Sequence, residues 1–457
     1  MLAAGLAAAL IAGCGGASEA RTVAAAITRA ASPPASAGTT GGNTTGSNTT
    51  SGGTEVGGST HTSTSPVAPG ALRRLQQTVS SALRPLGPEV GALIVDLSRG
   101  DEPLLSVNPS TGRAPASLEK LYTTVALLHV LGPAARLRTC VLGAGELRAG
   151  GVWHGNLYVR GDGDPTFGDA GWVSGAEHGD GTTTTALVAT MRAAGIKRVT
   201  GALYADPVRF SNAIAGPATG GKEDLPDYEG EMSALVFDHG ATGAGLGPAV
   251  FAAREIVVTM RAQGMTTGFA HRAARAPADA RLIGCVSSPP LTTMLRMMDV
   301  PSDDLFADLF AEQLGYQVLH RGTLAAGARA ISDVLAASYD LHPTVHDGSG
   351  LDKLDRSSPE QIVSLLAQVD GTADGNVLWA ALPVVGRTGT VEYIGQNTAA
   401  AGRCVAKTGT LDNVTNLAGY CRARSGHVVA FAVMLDGPGN WTAIMALDRI
   451  VGAIAAY

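Results

Sequence analysis

The chain has 457 residues, of which 45% are hydrophobic and 16% charged, so it is long and apolar enough to build two or three domains with sizeable cores. A net charge of −6 supplies no basic face for nucleic acid. Past the N-terminus there is no apolar run of about 18 residues, which excludes an internal membrane helix.

The first fourteen residues, MLAAGLAAALIAGC, form a short apolar stretch ending Ile11-Ala12-Gly13-Cys14, which resembles the lipobox of bacterial lipoprotein signal peptides. Residues 1–14 are therefore expected to direct export. Cys14 is the expected lipidation site and membrane tether, although no Lys or Arg precedes Arg21. Residues 15–70 are rich in Thr, Ser and Gly, bury almost nothing and read as a disordered linker. Its 31–69 stretch has a coil reach of roughly 35 Å.

Order is expected from about residue 71. Two short strands surround Ser98-Arg99-Gly100-Asp101, a hairpin pattern. A helix follows in APASLEKLYTTVALLHVL, with Pro115 and Ser117 as its start signal. Residues 140–285 change texture to short strands, turns and glycines, and read as an inserted β-rich domain. Helical spacing returns after residue 286, with helices at 324–339 and near 359–369. Three antiparallel strands and a helix from Trp441 to about Ala456 close the chain. The expected organisation is an α/β domain, 71–139 and 286–457, split by the 140–285 insertion.

Besides Cys14 there are four cysteines, an even number consistent with disulfides in an exported protein. Cys404 and Cys421 lie in strands flanking a turn and are the natural first pair. Cys140 and Cys285 would form the second. The histidines are scattered without metal-ligand spacing, so no metal is expected. GDGDPTFG lacks the third glycine of a dinucleotide fingerprint, and no cofactor is expected.

Lys120 sits where the helix dipole repels a cation. That position is poor for helix stability but suits a base for Ser117, since a serine needs a proton acceptor to become a nucleophile. Lys407-Thr408-Gly409-Thr410 falls on the first closing strand. There Gly409 lets a substrate backbone approach, Lys407 and Thr408 offer a carboxylate site, and the Thr410 amide faces an oxyanion. Ser302-Asp303-Asp304 lies between them at a loop-to-helix junction. SxxK, an S-D-N-like triplet and KTG, in this order, mark penicillin-recognising serine enzymes.

Several further stretches narrow the resemblance: GDGDPTF, GEMSALVFDHG, HDGSGLDKLDRSSPEQIVSLL, LPVVGRTGTV and GRCVAKTGTLDNVTNLAGYC. With the three motifs, residues from about 72 to 457 resemble the class C low-molecular-mass penicillin-binding proteins, the D-alanyl-D-alanine carboxypeptidase/endopeptidase family of serine peptidases. The resemblance implies a penicillin-binding, β-lactamase-like transpeptidase fold, an antiparallel sheet flanked by helices. The insertion is shorter than in larger members, which implies that a third domain is absent. Peptidoglycan stem peptides would be the substrates and β-lactams the inhibitors.

The same resemblance assigns Ser117 as nucleophile, Lys120 as base, and Ser302 as the relay to the leaving D-alanine. Lys407 and Thr408 would hold the terminal carboxylate, and the amides of Ser117 and Thr410 would form the oxyanion hole. Asp164 and Arg356 would recognise the stem-peptide side chain. One departure stands out: Asp304 occupies the place of the family's asparagine, and a carboxylate accepts hydrogen bonds where an amide also donates. Asp304 is also expected to weaken Lys120 as a base. The alternatives are a catalytically impaired peptidoglycan-binding protein, which Asp304 favours, and a serine β-lactamase or esterase on the same framework.

Overall fold

A computed structural model describes residues 67–216, 218, 230–437 and 439–457. The expected signal peptide, Cys14 and all but the end of the linker lie outside the described residues. No helix among the described residues is long and apolar enough to cross a membrane.

The first elements are α1 (Ala71–Leu83), β1 (Val90–Asp96), β2 (Glu102–Val107) and α2 (Glu119–Leu131). β1 and β2 are the expected hairpin, and Gly100 turns it in the left-handed region at φ 69°. The middle of the chain supplies β3 (Arg138–Arg148), β4 (Val152–Gly161), β5 (Phe167–Gly168), α3 (Ala170–Gly175), β6 (Thr182–Thr183) and α4 (Thr184–Ala193). β7 (Arg198–Asp206), α5 (Pro248–Ala262), β8 (Thr266–Ala273) and β9 (Arg281–Ser287) complete it. Then come the helices α6 (Leu291–Asp299), α7 (Asp304–Leu319), α8 (Leu324–Tyr339), α9 (Pro359–Val369) and α10 (Ala373–Ala381). The chain ends with β10 (Cys404–Leu411), β11 (Val414–Arg422), β12 (Val428–Asp436) and α11 (Asn440–Ala456).

The first sheet is antiparallel, in the order β10-β11-β12-β1-β2. Helices cover both of its faces. One face packs against α1 and α11 through Leu75, Val79, Leu447, Ile450 and Ile454. The other meets α2, α7 and α9 through Leu121, Val125, Phe306, Phe310, Ile362 and Leu366. Burial from both sides explains why Val428–Leu435 of β12 is apolar throughout, without the alternation of a half-exposed strand. β10 is an edge strand: its outer side bonds Pro383 and Val385 at Ala406 and Cys404, and no further strand among the described residues pairs with it.

The second sheet has the order β8-β7-β4-β3-β9, with β3 antiparallel to β4 and β9, and β7 parallel to β4 and β8. This middle segment is mixed in structure, where its sequence texture suggested strands and turns alone. α4 and α5 bury Leu187, Val188, Met191, Ile256, Val257 and Met260 against the sheet. Alanines and threonines separate those anchors, which dilutes the helical pattern in the sequence.

Ser117 departs from its expected capping role. A short 3-10 turn, Ala116–Leu118, runs directly into α2, and no side chain caps either element. α2 is buried nearly all round, including Glu119, Lys120, Thr123 and Thr124, so it carries no polar stripe.

Both disulfides join directly opposed residues of antiparallel strands. Cys404 pairs with Cys421 across β10 and β11, and Cys140 pairs with Cys285 across β3 and β9. The second closes a sequence separation of 145 against 17 for the first. Non-reducing peptide mapping is expected to recover these two linked pairs and no crossed pair. Removing the 140–285 bridge should lower unfolding stability by about 2–5 kcal/mol in a denaturant titration.

Candidate active site

The KTGT edge of β10 lies against the turn that carries Ser117. A side chain at Gly409 would place its Cβ 2.4 Å from the Pro115 carbonyl oxygen, so only glycine permits the approach. Asn416, fully buried on β11, anchors the turn from the same sheet. Its Nδ2 donates to the carbonyls of Ala114 and Pro115, both at 2.9 Å, and its Oδ1 accepts from the Leu435 amide. The DGSG loop presses from another side. Gly350, at φ 86°, packs where a Cβ would meet the Ala116 carbonyl at 2.0 Å.

Lys120 has no solvent exposure, and its Nζ uses all three donor directions. It reaches Ser117 Oγ at 3.1 Å, Asp304 Oδ1 at 2.5 Å and the Ser349 carbonyl at 2.8 Å. Asp347 supports that carbonyl by accepting from the Ser349, Gly350 and Asp352 amides, which closes the loop on itself.

Ser302 sits in the turn between α6 and α7. Asp303 is the N-cap of α7, accepting from the Phe306 amide at 2.9 Å, and Asp304 is the first helical residue. The other Asp303 oxygen contacts His239 Nε2 at 2.7 Å, tying the middle segment to this turn. Ser302 Oγ accepts from Lys407 Nζ at 2.6 Å, and Lys407 also donates to the Thr408 carbonyl at 3.1 Å. Ala116 and Ser302 have φ of 49° and 70°, left-handed values that non-glycine residues avoid. Backbone strain of this kind collects where the surrounding structure imposes a functional geometry.

The electrostatics follow from burial. Desolvation, and then the charge of Lys120, lowers Lys407 to a pKa of about 7. Desolvation raises Asp299 to about 7, although both lysines oppose the shift. Glu119 is held well above the usual carboxyl range by burial, then by Asp355 and Asp347, and neither of its oxygens has a hydrogen-bond partner. No group of His, Cys, Asp and Glu among the described residues could hold a metal ion.

Ser117, Lys120, Ser302, Asp304, Lys407, Thr408 and Gly409 thus cluster at one place, and Thr410 continues the same strand beside Gly409. Asp164 is not linked to them by any hydrogen bond. It is buried in its own turn, accepting from Thr166 and Thr182, and desolvation raises it to about 6. Arg356 is exposed and folds its guanidinium back on the carbonyls of Lys353 and Asp355. Thr390, in the GRTGT stretch, adds a contact that the motif order does not reveal: its Oγ1 accepts from Thr408 Oγ1 at 2.7 Å. Asn416 lies within the GRCVAKTGTLDNVTNLAGYC stretch, but nothing there singles out a strand asparagine.

The D-Ala-D-Ala carboxypeptidase 3 (S13) family model matches residues 75–246 and 228–456. A D-alanyl-D-alanine carboxypeptidase of Actinomadura sp. (strain R39) is 26% identical, covering 81% of this chain and 82% of that protein. Carboxypeptidase DacB of Mycolicibacterium smegmatis is 30% identical, covering 84% and 85%. In fold, penicillin binding protein 4 of Haemophilus influenzae superposes with a TM-score of 0.69 over 83% of this chain and 99% of its own, at 20% identity. With a serine, two buried lysines and a glycine-edged strand converging in one cleft, and a family model covering nearly all described residues, the chain belongs to the D-Ala-D-Ala carboxypeptidase 3 (S13) family of serine peptidases.

Proposed function

We propose that the chain cleaves the terminal D-alanine from peptidoglycan stem peptides through an acyl-enzyme on Ser117, and that β-lactams acylate the same residue. The observation that carries this reading is the 3.1 Å contact between Lys120 Nζ and Ser117 Oγ, at the foot of an edge strand able to take an extended substrate. A relative in fold, the Haemophilus influenzae protein, is described in complex with a β-lactam.

In the proposed reaction Lys120 takes the Ser117 proton as Oγ bonds to the scissile carbonyl carbon. The amides of Ser117 and Thr410 stabilise the oxyanion. As the peptide bond breaks, Ser302 passes a proton to the leaving amine of D-alanine. Water then hydrolyses the ester and frees Ser117. Lys407 and Thr408 hold the terminal carboxylate, and Thr390 fixes the Thr408 hydroxyl. The substrate lies outside the cytoplasm, which agrees with the export signal read in residues 1–14. Lipidation of Cys14 would keep the enzyme at the membrane. Residues 140–285 are proposed as an inserted domain whose His239 braces the Ser302 turn.

Release of D-alanine from a D-Ala-D-Ala-terminated peptide is expected for the wild type and should fall at least 1,000-fold in Ser117→Ala, the scale of losing a nucleophile. Equal release by both would reject the assignment. Asp304 tests a second point. An asparagine there would still accept from Lys120 and would add a donor for the substrate carbonyl. Asp304→Asn should therefore raise the acylation rate constant with benzylpenicillin by roughly tenfold, the worth of one added hydrogen bond. An unchanged or lower constant would contradict it.

Lys407 predicts a pH dependence. Its cationic form, present below its pKa of about 7, binds the carboxylate and is lost as pH rises. kcat/KM for a carboxylate-terminated peptide should thus decline above about pH 7. A substrate with a C-terminal amide should lack this descending limb, and the same limb in both would count against the role.

A further inference from the structure

At the far end of α7 from the Ser117 cluster lies a cavity of about 670 Å³, within the size range of small-ligand sites. α7 spans sixteen residues, so the two sites are separated by roughly 22 Å along its axis. The cavity is formed where the 206–211 and 275–280 segments meet the α7–α8 turn, and Arg160, Arg209, Arg275, Arg321, His320 and Tyr316 line it.

Its charge is unlike that of the whole molecule. Four guanidinium groups converge here, in a chain whose net charge is −6. Two of them are built into the fold. Arg160 is fixed by Nε and Nη2 bonds to fully buried Asp206, whose carboxylate also accepts from the Val208 and Ala276 amides. Arg209 pairs with Asp162 at 3.0 Å and lies over the Tyr316 ring, 5.2 Å from its centroid. Arg275 and Arg321 are exposed and their guanidiniums make no ion pair or hydrogen bond with the described residues. Glu312, behind Ser211, is raised to about 8 by burial and adds no negative charge at neutral pH. Two carboxylates therefore face four arginines, and the surplus is carried by forks free to grip oxyanions. A concave site of one charge sign also concentrates its counter-ion.

We propose that this cavity binds a ligand bearing two or more negative charges on phosphate or carboxylate oxygens. Arg160 and Arg209 form the rigid floor, and Arg275 and Arg321 close on the ligand from opposite segments. Nothing in the serine chemistry requires this site, and it does not rest on the reading of the catalytic cleft. Two sources offer such chemistry to an exported protein: a small soluble oligoanion, or a stretch of an anionic wall polymer, which would dock the enzyme beside its substrate.

The test is isothermal titration of the full chain at low ionic strength with inorganic pyrophosphate and, separately, with poly(glycerol phosphate). Wild type is expected to bind at least one probe, and Arg275→Ala/Arg321→Ala should weaken it at least tenfold while D-alanine release is unchanged. The control Arg73→Ala/Arg84→Ala removes the same charge from exposed positions on and beside α1 and should stay within twofold of wild type. Tighter binding of the polymer than of pyrophosphate identifies the polymer as the source, and the reverse identifies a small ligand. Absence of binding by both probes, or equal weakening in both double variants, overturns the proposal.

Discussion

Two lysines without solvent exposure, Lys120 and Lys407, are the constraint around which the candidate site is built. A buried charge is costly unless it is paired and hydrogen-bonded. Lys120 meets that demand with a carboxylate, a hydroxyl and a carbonyl, each from a different segment. Lys407 joins the edge strand to the Ser302 turn in the same way. The lysines thus hold in register segments that the chain separates by up to about 290 residues, as their numbering shows. Around them lie more carboxyl groups than two cations can balance. Burial raises several of these, Glu119 and Asp308 well above the usual carboxyl range and Asp355 to about 8.

Backbone geometry completes the arrangement. Gly409 and Gly350 allow a strand and a loop to touch the Ser117 turn from two sides, and Gly348 lets the same loop approach α7 at the Ala307 carbonyl. Ala116 and Ser302 hold left-handed conformations without glycine's freedom. Such strain persists when neighbours over-determine it, and here Asn416, Gly350 and the Asp303 cap do so. The Ser117 turn is consequently fixed by the first sheet, so the stability of β10 and β11 bears directly on where Ser117 points.

Much of this was legible in the sequence, for identifiable reasons. The hairpin at 98–101, the helix at 324–339 and the closing three strands follow from local turn residues and hydrophobic spacing, which tertiary packing did not override. Ser117, Lys120, Ser302 and Lys407 were readable because a motif fixes residue type and spacing together. Asp164 and Arg356 lacked that support: one satisfies its own threonines, the other its own loop carbonyls. Local hydrogen bonds of this kind are invisible to motif order. Asn416 and the Ser349 carbonyl were missed because their work is done by contacts across hundreds of residues and, for Ser349, by a backbone atom that any residue supplies. The arginine-rich cavity was hidden likewise, since its members come from four distant places in the chain.

The central claim is that Ser117, activated by Lys120, is the acylated residue. Its most direct test is intact-mass analysis of the folded full chain during incubation with benzylpenicillin, followed by peptide mapping, for wild type and Lys120→Ala. A lasting single adduct on the peptide containing Ser117, lost in Lys120→Ala, is the predicted result. An adduct mapped to another residue, equal acylation of both proteins, or no adduct on a well-folded wild type would contradict it.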